Sequence, residues 1–547
     1  MSQLQNNDFF DPYLLSFGLK NKAIFINDSS IINQRYQQLV ALNDQFKAII
    51  TFQTKPIILI LYLDISNNSI KISRRNDDLE EISINTLYIK EFNIVDIYNV
   101  FPSSNEEILY VQMYADNDKL VTISIKNDTK YDTVPFNNLD DNIEVISSKS
   151  QNYLTLREKP GHGYAATIFS SDIISLDNYL CRFGELIANK NIINNTEFLT
   201  ITDLSSCKTV FEMKLEHPLI VSKIINNEVV LCLCNKEGIN VLLNINYRTG
   251  QIISETEYQC SIEFHAQIKN RVMIKLMGLS EGVQWGYITE DGQIYLGFRT
   301  VNSVNYIKTK YINDKFSGIL FEPKSVLVRG AIISLHGGPE SFEFNEFRYN
   351  GVYRKLVEQG LSVLVLNYSG SAYRSIVSKK SIWKKWKNVL KEIYTASEFL
   401  LSRYKLRKSD ITLFGVSFGG SLALLAGCDP KSFFKKIVAV APLVNMSNHI
   451  NKLDNEEYQW FQSRFSTNEI TNLFSDKNFV KNISIPVNII QGEYDGVLSY
   501  EESKLMVQKA QSKQLEWVLY TEKGTDHVPS NYIEKVNRHN FILKSLL

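Results

Sequence analysis

Cysteine is scarce in this chain. Its six residues (Cys181, Cys207, Cys232, Cys234, Cys260 and Cys428) lack zinc-type spacing and are too few for a disulfide framework in 547 residues. Cys232 and Cys234 stand two apart on a strand that starts near Val229, so they share a face and read as core packing. No sign of charge predominates: 59 basic residues balance 59 acidic ones, which leaves no global field to draw the chain to nucleic acid or a membrane. No apolar run reaches the roughly 18 residues of a membrane span. Met1 to Lys20 is polar and carries acidic residues, unlike a secretory signal. These absences make a reducing cytoplasm the expected location, with neither nucleic acid nor membrane as a partner.

What is present changes character near residue 310. Before it, short β-type runs (Ile57 to Ile65, Glu107 to Met113, Leu120 to Ile125, Phe198 to Ile201, Val229 to Leu233) alternate with turn signals. Examples of the latter are Asn67-Asn68, Arg248-Thr249-Gly250 and Glu290-Asp291-Gly292. Such spacing predicts a sandwich, a barrel or a propeller, and no crisp repeat chooses among them. After residue 310, β runs alternate with helical stretches, which predicts a parallel sheet covered by helices. Phe344 to Gly360, Lys504 to Gln511 and Tyr532 to Leu546 read as helices. So does the apolar face Trp386, Leu390, Ile393, Ala396 and Leu400. The basic-aromatic start of that helix, Trp383 to Lys387, reads as a solvated lysine face over buried tryptophans rather than a nucleic-acid patch. The length and a 44% apolar content suit more than one core.

Within the second half, Gly415-Val416-Ser417-Phe418-Gly419-Gly420 follows the apolar run Ile411 to Phe414. The pattern predicts a strand, a sharp turn and a helix over Ser421 to Gly427. On such a turn Ser417 is lifted out of the sheet, while Gly415 and Gly419 leave room for the backbone. Downstream, the strand pattern Ile485 to Ile490 leads to Asp495, and Leu515 to Tyr520 leads to His527. A serine hydroxyl becomes a nucleophile when an imidazole takes its proton, and the imidazole needs a carboxylate to fix its tautomer. Upstream, Gly330 to Leu335 runs into His336-Gly337-Gly338-Pro339, where a glycine turn can aim a backbone N–H at an oxyanion beside that of Phe418. The four parts stand in one order, each after a strand.

Taken with Asn367-Tyr368-Ser369-Gly370-Ser371, these motifs resemble the catalytic domain of the prolyl oligopeptidase family of serine peptidases over roughly Lys310 to Leu547. The His-Gly-Gly-Pro form is most similar to its acylaminoacyl-peptidase-like branch. The resemblance implies a C-terminal α/β-hydrolase domain at 310–547, a β-propeller-like cap at 46–309 and an N-terminal arm at 1–45. Six or seven blades at roughly 40 residues each would fit the cap. The chain departs from many relatives in carrying Asn388 and Glu392 where an aspartate-rich pattern is common. It also carries fewer glycines over Asn367 to Arg374 and no arginine in Gly496 to Ser499.

Rival assignments are weaker. Asp526 adjoins His527, and neighbouring side chains on a loop point apart. His539 sits in a helix and reads as packing or surface, and His336 reads as a structural residue of the glycine loop. His449 stays open as a substrate-side group. Glu80-Glu81 and Glu106-Glu107 read as solvated turns, and Leu453 to Phe465, with Tyr458, Trp460 and Phe461, as an amphipathic helix or an aromatic pocket wall. The expectation is therefore a serine peptidase for short peptides, without cofactor or metal, in which Ser417, Asp495 and His527 react and Gly338 and Phe418 form the oxyanion hole. An esterase, thioesterase or deacylase, a transpeptidase, and a peptide-binding protein with a vestigial hydrolase domain remain open, as does assembly into a homo-oligomer.

Overall fold

A computed structural model describes residues 48–547 except 52–56, 65–66, 77–80, 103–107, 116–118, 127–129, 134–141, 147–152, 159–163, 170–172, 195, 269, 375–386, 454, 466 and 530–531. The arm at 1–45, Glu80, Glu106 and Trp383 to Trp386 lie outside the described residues.

The first part of the chain forms five antiparallel sheets, each a run of hairpins in sequence order. They run from Ala48–Thr51 to Glu81–Tyr88, from Ile94–Pro102 to Lys130–Thr133, from Asn142–Ile146 to Lys208–Lys214, from Leu219–Ile224 to Gln251–Tyr258, and from Ser261–Ile268 to Ile294–Val301. The leading strand of the first sheet touches that of the second, which touches that of the third, and the leading strand of the fifth returns to the first. That closure makes a β-propeller. Packing explains it: Val230, Cys232 and Cys234 face Leu199 and Ile201 of the third sheet, while Leu231 and Leu233 on the other face meet Ile262 and Ile274 of the fifth. A strand buried on both faces reads as a continuous apolar run, and the two cysteines are core residues whose thiol pKa values burial pushes up.

The sheet count is five where the length suggested six or seven blades. Four sheets have four strands, and the third has seven. Its strand Ile173–Phe183 pairs through Ile173 to Tyr179 with the strand before it and through Tyr179 to Phe183 with the strand after it. One long strand thus links the two halves of a single seven-stranded sheet.

The second part is an eight-stranded sheet: β1 (Ile307–Ile312), β2 (Gly318–Pro323), β3 (Gly330–Leu335), β4 (Leu361–Leu366), β5 (Ile411–Val416), β6 (Lys436–Val440), β7 (Val487–Gly492) and β8 (Trp517–Glu522). The order is β1-β2-β4-β3-β5-β6-β7-β8, parallel from β4 onward. Nine helices are described: α1 (Val352–Glu358), α2 (Lys387–Tyr404), α3 (Phe418–Gly427), α4 (Met446–Ile450), α5 (Asn455–Arg464), α6 (Thr467–Leu473), α7 (Asp476–Asn482), α8 (Tyr500–Ser512) and α9 (Tyr532–Leu546). Alternate residues of each strand feed two cores. Ile333, Leu413 and Ile489 pack with α2, α3 and α8, and Ile332, Phe414 and Ile490 pack with α1 and α9. The expected helix over Phe344 to Gly360 is shorter, a 3₁₀ turn at Arg348–Gly351 followed by α1. A division at 310 would cut β1, so we propose the domain boundary at residues 302–306 instead.

The segment between β3 and α1 ties the two parts together. Buried Asn345 accepts the Leu279 N–H at 2.9 Å, donates to the Gln259 carbonyl at 2.9 Å, and offers its own carbonyl to the Ser261 N–H at 3.0 Å. Arg354 donates to the carbonyls of Leu279 and Asn302.

Candidate active site

β5 ends at Val416, and Ser417 follows with φ 53° and ψ −122°. A non-glycine residue there carries about 1–3 kcal/mol of backbone strain. Neighbours hold it: the Ser417 N–H donates to the Val440 carbonyl at 2.7 Å, and the Ser417 carbonyl accepts from Ser421 N–H at 3.2 Å. Helix α3 starts directly afterwards, at Phe418 rather than at Ser421. A Cβ on Gly415 would overlap the Gly419 carbonyl oxygen, and one on Gly419 would overlap those of Leu335 and His336. Bare backbone at both positions is what lets α3 lie against β3 and β5. The Phe418 N–H opens the helix, where helical geometry supplies no internal acceptor.

Asp495 lies just beyond β7 with a fully buried side chain, and His527 just beyond β8. The Asp495 carboxylate accepts from Val497 N–H at 3.0 Å and Leu498 N–H at 2.7 Å on Oδ1. On Oδ2 it accepts from Gln491 Nε2 at 3.1 Å and His527 Nδ1 at 2.9 Å. An ionised carboxylate only accepts, so Nδ1 bears the imidazole proton and Nε2 keeps its lone pair. Asp526 is occupied elsewhere: its Oδ1 accepts from Gly496 N–H at 2.9 Å and His527 N–H at 2.5 Å, bonds that hold its pKa below the usual range.

Two residues that sequence reasoning passed over hold this pair. Gln491, fully buried, also donates to the Leu498 carbonyl at 2.8 Å, so it fixes both the acid and its loop. Arg538 of α9 donates to the carbonyls of His527 at 2.6 Å and Asp526 at 3.2 Å. Glu522 at the end of β8 grips the same guanidinium at 2.6–3.0 Å. Nothing local in the sequence marks either role.

The glycine loop is built on His336. Its ring is buried, stacks on Tyr368 at 4.2 Å and contacts the Gly337 carbonyl through Nδ1 at 2.7 Å and Ser371 Oγ through Nε2 at 2.7 Å. Burial pulls its pKa down to about 3, so it is neutral, and the carbonyl contact assigns the proton to Nδ1. Tyr368 returns a hydrogen bond to the His336 carbonyl at 2.8 Å. Gly338 has φ +121°, in the region glycine favours, and Gly337 packs against Ser417. Glu392 accepts from Ser369 N–H at 2.7 Å, Ser369 Oγ at 2.8 Å and Arg374 at 2.9 Å. The residue that marks a departure from the resemblance therefore braces the loop below the site.

Ser417, Phe418 and Gly338 open on a cavity of about 260 Å³. Leu443, Met446, Phe461 and Phe465 supply apolar wall, and His449, Glu340 and Glu457 are its polar members. Glu340 pairs with Arg464 of α5 at 2.7 Å, and that guanidinium lies 4.5 Å from the Trp460 ring. Burial lowers the pKa of His449. Helix α5 thus forms part of the pocket wall through Trp460 and Phe461, and Tyr458 is not among the lining residues. His539 is buried against Tyr349, away from the cavity, with a pKa that burial lowers to about 3. Among the described residues no group of three or more His, Cys, Asp and Glu side chains could hold a metal, and no helix is long and apolar enough to cross a membrane.

Residues 347–545 match the model of the prolyl oligopeptidase family. A comparison with curated proteins gives no match. Among solved structures, the chain is similar to a prolyl endopeptidase at 11% identity and TM-score 0.66, covering 91% of this chain and 81% of that one. It is similar to the Pyrococcus horikoshii acylaminoacyl peptidase at 12% identity and TM-score 0.55, covering 91% and 94%. A Mycobacterium tuberculosis puromycin-hydrolyzing peptidase aligns at 12% identity and TM-score 0.60, covering 92% and 94%. At such identities the likeness establishes the shared fold, propeller included.

Proposed function

With its C-terminal domain a serine hydrolase of the prolyl oligopeptidase family, we propose that this protein is a serine peptidase that cleaves short peptides through Ser417, His527 and Asp495. The observation that carries the reading is the 2.9 Å bond between Asp495 and His527 on separate loops, at the strand edge where Ser417 is held at φ 53°. In this mechanism Ser417 Oγ attacks the scissile carbonyl and His527 Nε2 takes its proton. Asp495 holds the ring in the reactive tautomer and stabilises the imidazolium.

The Gly338 and Phe418 N–H groups receive the oxyanion, each contributing roughly 3–4 kcal/mol to the transition state. Collapse expels the amine with the proton from His527 and leaves an acyl-enzyme, which water then hydrolyses by the same route reversed. A propeller tied to the catalytic domain through Asn345 and Arg354 restricts entry to short or flexible chains. None of the described cysteines is in a disulfide, which suits the proposed cytoplasmic setting.

Labelling with a fluorophosphonate probe tests the assignment. Wild type should react rapidly and Ser417→Ala not at all. Equal labelling of the two would mean that Ser417 is not the activated nucleophile.

A further inference from the structure

The propeller also meets the catalytic domain at a hairpin tip, and that contact leads to the proposed oxyanion hole. In the fourth sheet, Val229–Lys236 and Ile239–Asn246 are joined by the turn Glu237-Gly238, both residues with positive φ. The tip is seated on the catalytic domain. Asn313 Nδ2 donates to the Glu237 carbonyl at 2.9 Å, and a Cβ on Gly238 would meet the Tyr311 ring at 3.1 Å.

Asn235, at the base of this turn, is almost fully buried. Its backbone N–H donates to the Pro218 carbonyl at 2.8 Å, and its Oδ1 accepts from Gly238 N–H at 2.8 Å. The amide orientation follows, because the reverse would set two donors against each other. Nδ2 therefore donates across the domain boundary to the Tyr373 carbonyl at 2.8 Å. Tyr373 has φ 54°, a strained value that persists where the surroundings hold it. Its ring contacts Phe342 and Phe344, and Lys190 of the third sheet lies 5.7 Å from its centre. Lys190 is itself fixed by the Leu219 carbonyl at 3.2 Å and Glu197 at 3.5 Å.

The residues just before Tyr373 hold the glycine loop. Ala372 N–H donates to the Ser341 carbonyl at 2.9 Å, and Ser371 Oγ meets His336 Nε2 at 2.7 Å. These two contacts bracket Gly338, one on each side of it in sequence. We propose, resting on the peptidase reading, that Asn235 of the propeller is a positioning residue for the oxyanion hole: by holding the Tyr373 carbonyl it fixes, through Ala372 and Ser371, where the Gly338 N–H points. The Phe418 N–H is set separately, by α3. A donor aimed at the oxyanion acts in the transition state, so loosening it lowers the rate of the chemical step and leaves binding unchanged.

The test measures fluorophosphonate labelling of the full chain over a range of probe concentrations, which separates the maximal rate kinact from the binding constant KI. Asn235→Asp, assayed at pH 8 where a carboxylate only accepts, keeps the acceptor for Gly238 and removes the donor to Tyr373. Outright loss of an oxyanion donor costs about 10²–10³ in rate, so a loop freed at one anchor should lose about tenfold in kinact, with KI held within about twofold. Tyr373→Leu should lower kinact in the same way, and Tyr373→Phe, which keeps the ring, should rescue it. An unchanged kinact in Asn235→Asp, or a loss matched by a loss of folded protein in a thermal melt, overturns the positioning role. Labelling of wild type over Ser417→Ala still upholds the peptidase in that event. Absence of wild-type labelling overturns both.

Discussion

Arg538→Met isolates what holds His527, the proposed general base, in place. The guanidinium makes three contacts of 2.6–3.0 Å to Glu522 and two more to the carbonyls of His527 and Asp526. Methionine fills much of the volume but removes every donor. The Glu522 carboxylate, whose pKa burial already raises against the pull of Arg538, is then buried without a counter-charge. Breaking a pair of this kind costs about 3–5 kcal/mol. For a domain of this size that corresponds to a fall in Tm of about 10 °C.

Catalysis should suffer separately, because the His527 backbone loses its anchor. A displacement of about 1 Å at a reacting group costs about 100-fold in rate. The double variant Glu522→Leu/Arg538→Leu separates the two effects. Replacing both partners by apolar groups should restore most of the stability, since neither charge is left unpaired, while the labelling rate stays low. Thermal melts and fluorophosphonate labelling rates read the two quantities. A single variant that melts early but labels as fast as wild type would refute the positioning role.

Three further outcomes are expected. Asp495→Asn keeps the shape but frees the wrong imidazole tautomer, so kcat on any cleaved peptide should fall about 10⁴-fold with little change in Tm; a loss under tenfold would contradict the assigned acid. Gly419→Ala drives a Cβ into the Leu335 and His336 carbonyls, so soluble yield and labelling should fall together, and an active, stable variant would show that α3 can move. Buried His336 and His539 have pKa values lowered to about 3, so their neutral forms contribute stability that is complete above about pH 6.5 and lost as pH falls toward 3. Each contributes about 1.4 kcal/mol per pH unit in that window, and urea titrations of His539→Phe at pH 6 and pH 4 should show a shallower slope than wild type by that amount.

Much of the catalytic edge was legible because it is written locally. A parallel strand buried on both faces is an apolar run, and the sharp turn after it demands glycines at fixed offsets, so Gly415, Ser417 and Gly419 announce themselves within five residues. The chain order of Ser417, Asp495 and His527 follows from the sheet order, since each side chain must emerge at the same strand edge. Blade number was not legible. Each hairpin looks alike in sequence, and the seven-stranded third sheet depends on Ile173–Phe183 changing partners at Tyr179.

The bracing roles of Gln491, Glu392 and Arg538 were not legible. Gln491 acts within its own loop, but Glu392 reaches Ser369 across 23 residues and Arg538 reaches His527 from the last helix. The sequence by itself singled out Ser417, His527 and Asp495 as the proposed nucleophile, base and orienting acid, because those roles depend on residue type and local backbone. Only the tertiary structure decided which residues hold them there, because such contacts arise when separate elements meet.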